Sequence, residues 1–344
     1  MRTHTLHSSS SKPLQLLKVV WNPQLSQGLL AFISVVIFIV TLGYAWPVFF
    51  NEGSALMKNL EHRELVDAVD DAAIEAAMVA ALYGEQRDEA VHIDTHDPTQ
   101  TLELIHLADK VFATLCLVLA AFVPFLARWR PATAWLYLIP ALWVLLNGVA
   151  ATLNGGKAHA ALSIPAHATR FILPVALALL LWRPSATGSR STANWLLRIA
   201  CALTFGTHGF EALQHHPAFQ DLIYSFGMII GVDFSTQVIH LLLYCIGTMD
   251  MLLALSVLLV HSPAVLRWMT FWGLLTAFSR PLTISWLAWP EFAIRLANGI
   301  CPWLVLAIGM SALISRGKQS EKSSAQSPER LAFRERHPIE RAHP

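Results

Sequence analysis

The stretch Gly28–Phe50, GLLAFISVVIFIVTLGYAWPVFF, decides the fold. It carries no charged side chain, and at about 1.5 Å rise per residue a helix of this length crosses the roughly 30 Å hydrocarbon core of a bilayer. A signal peptide has a shorter apolar core, about 7–15 residues, and a small-x-small cleavage site after it. Tyr44-Ala45-Trp46-Pro47 is not such a site. The segment is therefore expected to be a retained first span.

The pattern recurs along the chain, in apolar runs at 105–127, 134–153, 169–182, 195–214, 236–260, 264–284 and 292–315, the run at 169–182 being the shortest. Lipid offers no water to open backbone groups, so runs of this length are read as helices. The expected fold is all-α, a polytopic membrane protein with about eight transmembrane helices. Composition agrees, with 55% hydrophobic and 14% charged residues among 344 and a mean hydropathy of +0.49, where soluble domains carry roughly a quarter charged.

The formal net charge is only +1, which gives no reason to expect nucleic acid as a partner. Its distribution is informative. Arg2, Lys12 and Lys18 precede the first run, Arg128 and Arg130 part the second from the third, and Arg183 and Arg190 part the fourth from the fifth. Arg267 follows the turn after the sixth, and Arg316, Lys318 and Lys322 follow the eighth. With eight spans every basic loop falls on one side, which the positive-inside rule makes cytoplasmic. Both termini are thus expected in the cytoplasm and the protein in a plasma (inner) membrane, with a cytoplasmic arm at 1–27 and a disordered cytoplasmic tail at 316–344.

The acidic segment 51–104 is then expected to be extracytoplasmic, where it could engage an extracytoplasmic partner. It begins with a helix-like stretch, Ser54 to Leu82, for which Ser54 suits the N-cap. A second external segment, 215–235, holds an apolar run too short to span and is expected as a surface or re-entrant helix. The four cysteines, Cys116, Cys201, Cys245 and Cys301, all fall within apolar runs and form no CxxC pair, so free packing thiols are expected.

Ionisable side chains at membrane depth are costly and mark functional sites by default. His208 and Glu211, at i and i+3, share a face in the outer half of the fifth run, and His240 enters at similar depth on the sixth with Asp250 deeper. Arg280 closes the seventh run. Glu291, Arg295 and Asn298 open the eighth at helical spacing, and Arg170 opens the fourth. Together they predict a polar pocket at the outer level. Snorkelling at helix ends would also account for Arg170, Arg280 and Glu291, and interhelical hydrogen bonding for the histidines and Asp250.

The segment His92-x-Asp94-x-His96-Asp97 has ligand-type side chains, but in a polar, Pro-containing loop they are read as solvated, and no metal site is expected. His106 and Asp109 beside Lys110 are read as an interfacial charge pair. There is no Walker loop, GxSxG elbow, HExxH or dinucleotide fingerprint, which argues against a soluble-type catalytic domain. Quinone suits the polar cluster better than haem.

From Trp195 onward the chain resembles the DoxX-like family of small four-helix membrane proteins. The resemblance rests on Arg198-Ile199-Ala200, His208-Gly209-Phe210-Glu211-Ala212-Leu213, Pro217-Ala218-Phe219, Ile246-Gly247-Thr248-Met249-Asp250 and Arg295-Leu296-Ala297-Asn298. It implies a four-helix unit over 195–315, outside which the first four spans and the acidic loop fall. It also implies membrane redox or sulfur chemistry, since the family includes a subunit of a thiosulfate:quinone oxidoreductase. Three functions follow as expectations. The first is a redox accessory protein binding quinone or a small anion through Arg170, His208, Glu211, His240, Asp250, Arg280, Arg295 and Asn298. The others are a proton-coupled transporter and a non-enzymatic assembly or sensor protein.

Overall fold

The computed structural model describes residues 27–50, 53–63, 98–155, 158–184, 186–260 and 262–311. The arm, most of the acidic loop with His92–Asp97, and the tail lie outside the described residues. Within them every regular element is helical. The order is α1 (Gln27–Phe49), α2 (55–63), α3 (Pro98–Trp129), α4 (Leu138–Asn154), α5 (Ala168–Trp182), α6 (Thr187–Leu213), α7 (Pro217–Ile230), α8 (Thr236–Leu259), α9 (Pro263–Thr283) and α10 (289–311). A 3₁₀ segment, Pro131–Tyr137, leads into α4, and short turns from Ala160 lead into α5.

Among the described residues six segments are long and apolar enough to cross a membrane, consistent with a multi-pass membrane protein: Gln27–Phe49, Gln100–Trp129, Pro131–Asn154, Ala160–Trp182, Thr236–Leu259 and Trp286–Ser311. The fifth and seventh apolar runs also form helices, of 27 and 21 residues, but fall outside this group. Arg190, Arg198 and Glu211 dilute α6, and Arg267 and Arg280 dilute α9. Helix ends also differ from the apolar runs. α3 begins at Pro98, where proline suits a first turn, and α6 begins at Thr187 through the polar stretch Thr187–Asn194. Hydropathy cannot see such polar extensions because only their central turns meet lipid. The segment expected as a surface or re-entrant helix is α7, with Pro217 at its first turn and Gly231 in the left-handed conformation (φ 72°) at its end.

α6 and α8 run antiparallel in close contact. Gly206 faces Ala254, Gly209 faces Gly247 and Asp250, and Gly247 faces Leu213. α9 and α10 form a second antiparallel pair through Gly273 on Asn298 and Gly299 on Leu274. α1 packs on α10, with Gly43 against Ala293 and Ile294 and Phe32 edge-on to Trp303. Small residues let backbones approach where hydrophobic drive is absent and dispersion must hold helices together. The main core cluster joins α1, α3, α5, α6, α8, α9 and α10 through residues such as Ile37, Leu177, Cys201, Met269 and Leu304.

α2 is tied to the bundle by its N-terminus, whose first N–H groups have no partner within the helix. Ser54 Oγ accepts from Met57 N–H (3.1 Å) as the expected N-cap. Asp109 Oδ2 accepts from Ser54 N–H (2.9 Å), and Asn147 Oδ1 from the N–H groups of Ala55 (2.9 Å) and Leu56 (3.4 Å). Asp109 is thus buried and accepts from the residue that caps α2. Stranding buried donors costs about 1–3 kcal/mol. Asn147→Ala should therefore lower thermal stability in detergent well beyond Asn59→Ala, which loses only an exposed bond to Asn154. Equal melting temperatures for the two variants would contradict this docking.

Candidate functional site

α8 packs chiefly on α6 and scarcely touches α9. The gap between α8 and α9 is a cavity of about 520 Å³, closed behind by α6 and α10 and flanked by α7. Its size is within the range of small-molecule sites, roughly 300–1,000 Å³. Most of the wall is apolar. Phe219, Ile223 and Phe226 come from α7, Leu242 and Ile246 from α8, and Leu275 and Leu282 from α9. The polar groups that reach it are few: His208, Asp250, Arg280, Arg295, Asn298 and several hydroxyls.

The helical stripe of α6 explains how His208 arrives there. Leu197, Cys201, Thr204, Phe205 and Ala212 are its buried positions, and His208 continues that face toward the cavity. Its Nδ1 lies 3.1 Å from Glu211 Oε2, as the i, i+3 spacing predicts. Asp250 sits opposite on α8, at the level where Gly209 removes any side chain between the two backbones. Trp272 of α9 lines the cavity with Asp250, whose Oδ1 is buried without a partner.

Two cations, Arg280 and Arg295, reach the cavity, whereas Arg170 does not line it. Arg295 pairs with Glu291 one turn earlier on α10. Arg170 is only 3% exposed, and its Nη1 donates to the Tyr44 hydroxyl (3.2 Å). Arg280, Arg295 and Arg170 lie close enough to act on one another electrostatically. The Nε atoms of Arg170 and Arg280 are both buried without a hydrogen-bond partner. Like charges held together out of water need a counter-charge or a strong acceptor. Glu291 and Glu211 supply two, engaged by Arg295 and His208 respectively.

Four predicted site residues are placed differently from the rest: Arg170 and Glu211 do not line the cavity, and Asn298 and His240 are engaged elsewhere. Asn298 reaches the cavity, but its Oδ1 accepts from the Thr169 hydroxyl (2.7 Å), tying α10 to α5. His240 is absent from the cavity wall. It stacks on His215, with ring centroids 4.0 Å apart and planes within 6°, and Tyr244 meets His215 edge-on. His215 has a left-handed backbone (φ 53°), a turn that sends the chain from α6 into α7. Sequence reasoning missed Tyr44, Thr169 and Trp272. A tyrosine or tryptophan inside an apolar span needs a partner for its polar atom, which was the available signal for two of them.

Among the described residues, no group of three or more His, Cys, Asp or Glu side chains could hold a metal ion, and all four thiols are free. The arrangement defines a class: a helical protein with membrane-length apolar segments around a ligand-sized, mostly apolar cavity that carries two half-buried arginines, Arg280 and Arg295. No protein-family model, curated protein or solved structure matches the chain.

Proposed function

We propose that the chain is an eight-span membrane protein binding a quinone-like molecule in the cavity between α8 and α9, as a redox accessory subunit. The observation that carries this reading is Arg280, with a buried and unpartnered Nε at the edge of an apolar cavity. A quinone matches both features, since its carbonyl oxygens accept from guanidinium and imidazole while its ring and chain lie on Phe219, Ile246 and Leu275. Leu242, Leu275 and Leu282 line the cavity and are exposed, so its apolar wall opens to the protein surface. A membrane-dissolved ligand fits this better than a soluble anion. The resemblance of 195–315 to DoxX-like proteins points the same way.

The span count is supported by pairing. α6 lies antiparallel along α8 and α9 along α10, so each diluted helix shares much of the depth of an apolar neighbour. With eight spans, reporter fusions at residues 75 and 220 should report outside and those at 188 and 330 cytoplasm. A pair split between the two sides would refute the count.

Ligand binding is tested by extracting lipids from purified protein and titrating quinone against intrinsic tryptophan fluorescence. His208→Ala should weaken retention by about twofold to tenfold, consistent with loss of a hydrogen bond worth about 0.5–1.5 kcal/mol. His240→Ala should leave retention unchanged, because that ring lies outside the cavity. Equal losses in both variants, or none in either, would remove the cavity as the binding site. A second reading, proton-coupled transport, is favoured by the unpartnered Oδ1 of Asp250. Substrate uptake into proteoliposomes driven by a pH gradient and lost in Asp250→Asn would establish it instead.

A further inference from the structure

The opposite end of the bundle contains a second cavity, independent of the one above. It has a volume of about 400 Å³ and lies where the start of α1, the ends of α3 and α5 and the start of α6 converge. Leu30, Ala127 and Leu181 supply an apolar side, and Arg128 and Arg190 a cationic one. Arg190 is oriented by its own backbone neighbourhood, with Nε donating to Pro184 O (2.8 Å). Its terminal amino groups have no partner among the described residues. Arg128 lies 5.9 Å from the Phe125 ring centroid and, among the described residues, pairs with no carboxylate.

Charge at this end is one-sided. Arg128, Arg130, Arg183, Arg190, Arg198 and Arg267 gather there, and no described carboxylate sits at these helix ends. The flanking sequence does not compensate. Residues 1–26 contain three basic and no acidic side chains, and the stretch after Ser311 is basic on balance. Tryptophans mark the level as a membrane boundary. Trp129 is 86% exposed, and Trp182 carries Arg183 at 4.2 Å on its ring and Trp135 at 5.2 Å. Such amphipathic rings settle at the headgroup layer.

We propose that this cavity binds the phosphate of an anionic phospholipid, held by Arg128 and Arg190, with an acyl chain lying on Leu30, Ala127 and Leu181. Basic pockets between helices at the membrane surface select such headgroups because the guanidinium fork matches phosphate oxygens. The apolar side distinguishes a lipid from free phosphate, which has nothing to bury against leucine.

The test uses the full chain in nanodiscs of equal phosphatidylcholine and phosphatidylglycerol, with bound lipids identified by native mass spectrometry. Wild-type protein should retain phosphatidylglycerol, and Arg128→Gln/Arg190→Gln should lose about thirtyfold in retention. Arg267→Gln, an arginine of the same end outside the cavity, should behave as wild type. Melting in nanodiscs of phosphatidylcholine alone should be the same for all three. If Arg190→Gln prevents folding by releasing Pro184, Arg128→Gln alone decides the matter by the same comparison. Equal retention in wild type and variant would overturn the site. Stabilisation by inorganic phosphate alone, with no preference for phosphatidylglycerol, would overturn the lipid assignment in favour of a soluble phosphate.

Discussion

Gly247→Leu should leave no monodisperse protein in detergent, because it drives a side chain into a backbone contact that cannot yield. A Cβ at Gly247 would stand 2.7 Å from Gly209 O, 2.8 Å from Leu213 Cγ and 2.9 Å from Leu213 N. Two of those three atoms belong to the α6 backbone, so relief requires moving the whole helix. The reciprocal position is equally closed, since a Cβ at Gly209 would lie 2.9 Å from Gly247 O and 3.0 Å from Met251 N. Overpacking in ordinary cores costs about 1–3 kcal/mol even when flexible side chains can give way. Here separation of α6 from α8 also forfeits the dispersion that membrane helices depend on, and the loss should reach several kcal/mol. Gly247→Ala should already lower the melting temperature. Gly188→Ala and Gly309→Ala are the controls, because no atom lies within 4 Å of either added Cβ. In a helix interior, removing glycine stabilises by about 0.4–1 kcal/mol, so both should melt at or above the wild-type temperature. Size-exclusion profiles and melting curves of the four variants decide the matter. A folded Gly247→Leu would mean that the α6–α8 crossing is not as close as described.

The second large effect separates binding from stability at Arg280. Arg280 is half-buried, and its Nε is buried without a partner, which burdens the empty protein because desolvation is incompletely offset. Replacing it with an apolar side chain of similar length removes that burden. Arg280→Met should therefore melt at or above wild type when no ligand is bound. The same substitution removes the donor that a quinone carbonyl or an anionic head would need. Truncating one side of a desolvated charge-assisted bond costs about 2–5 kcal/mol, so affinity should fall between thirtyfold and several thousandfold. Opposite signs for stability and binding are the mark of a ligand-facing group. If Arg280 merely holds helices together, both quantities will fall in step, and ligand titration beside thermal unfolding will show it.

The polar layer was partly readable in the chain. His208 and Glu211 could be paired from spacing alone, because i and i+3 side chains on one helix meet whatever surrounds them. The same holds for Glu291 and Arg295 at i and i+4. Membership across helices could not be read. His240 looked equivalent to His208 by depth, yet rotation of α8 turns it toward His215 and away from the cavity. Asn298 looked like a ligand group but spends its oxygen on Thr169, far away in sequence. Asp109, read from the sequence as part of an interfacial charge pair, also accepts from the Ser54 amide 55 positions away, a contact that no local spacing announces.

The sequence by itself determined the solvent and the secondary structure. Long uncharged runs have no stable state in lipid other than helix, since every backbone group must find its partner within the segment. That constraint is local, so it survives without knowledge of neighbours. Helix ends were less well determined, because α3 and α6 continue through polar residues that hydropathy treats as loop. The tertiary structure alone decided which faces meet. Glycines at 209, 247 and 273 set the distances between helices, and those distances leave a gap between α8 and α9 that no run of residues announces. A cavity is a property of how rotations and crossings add up over several helices, and interhelical packing is where that sum is made.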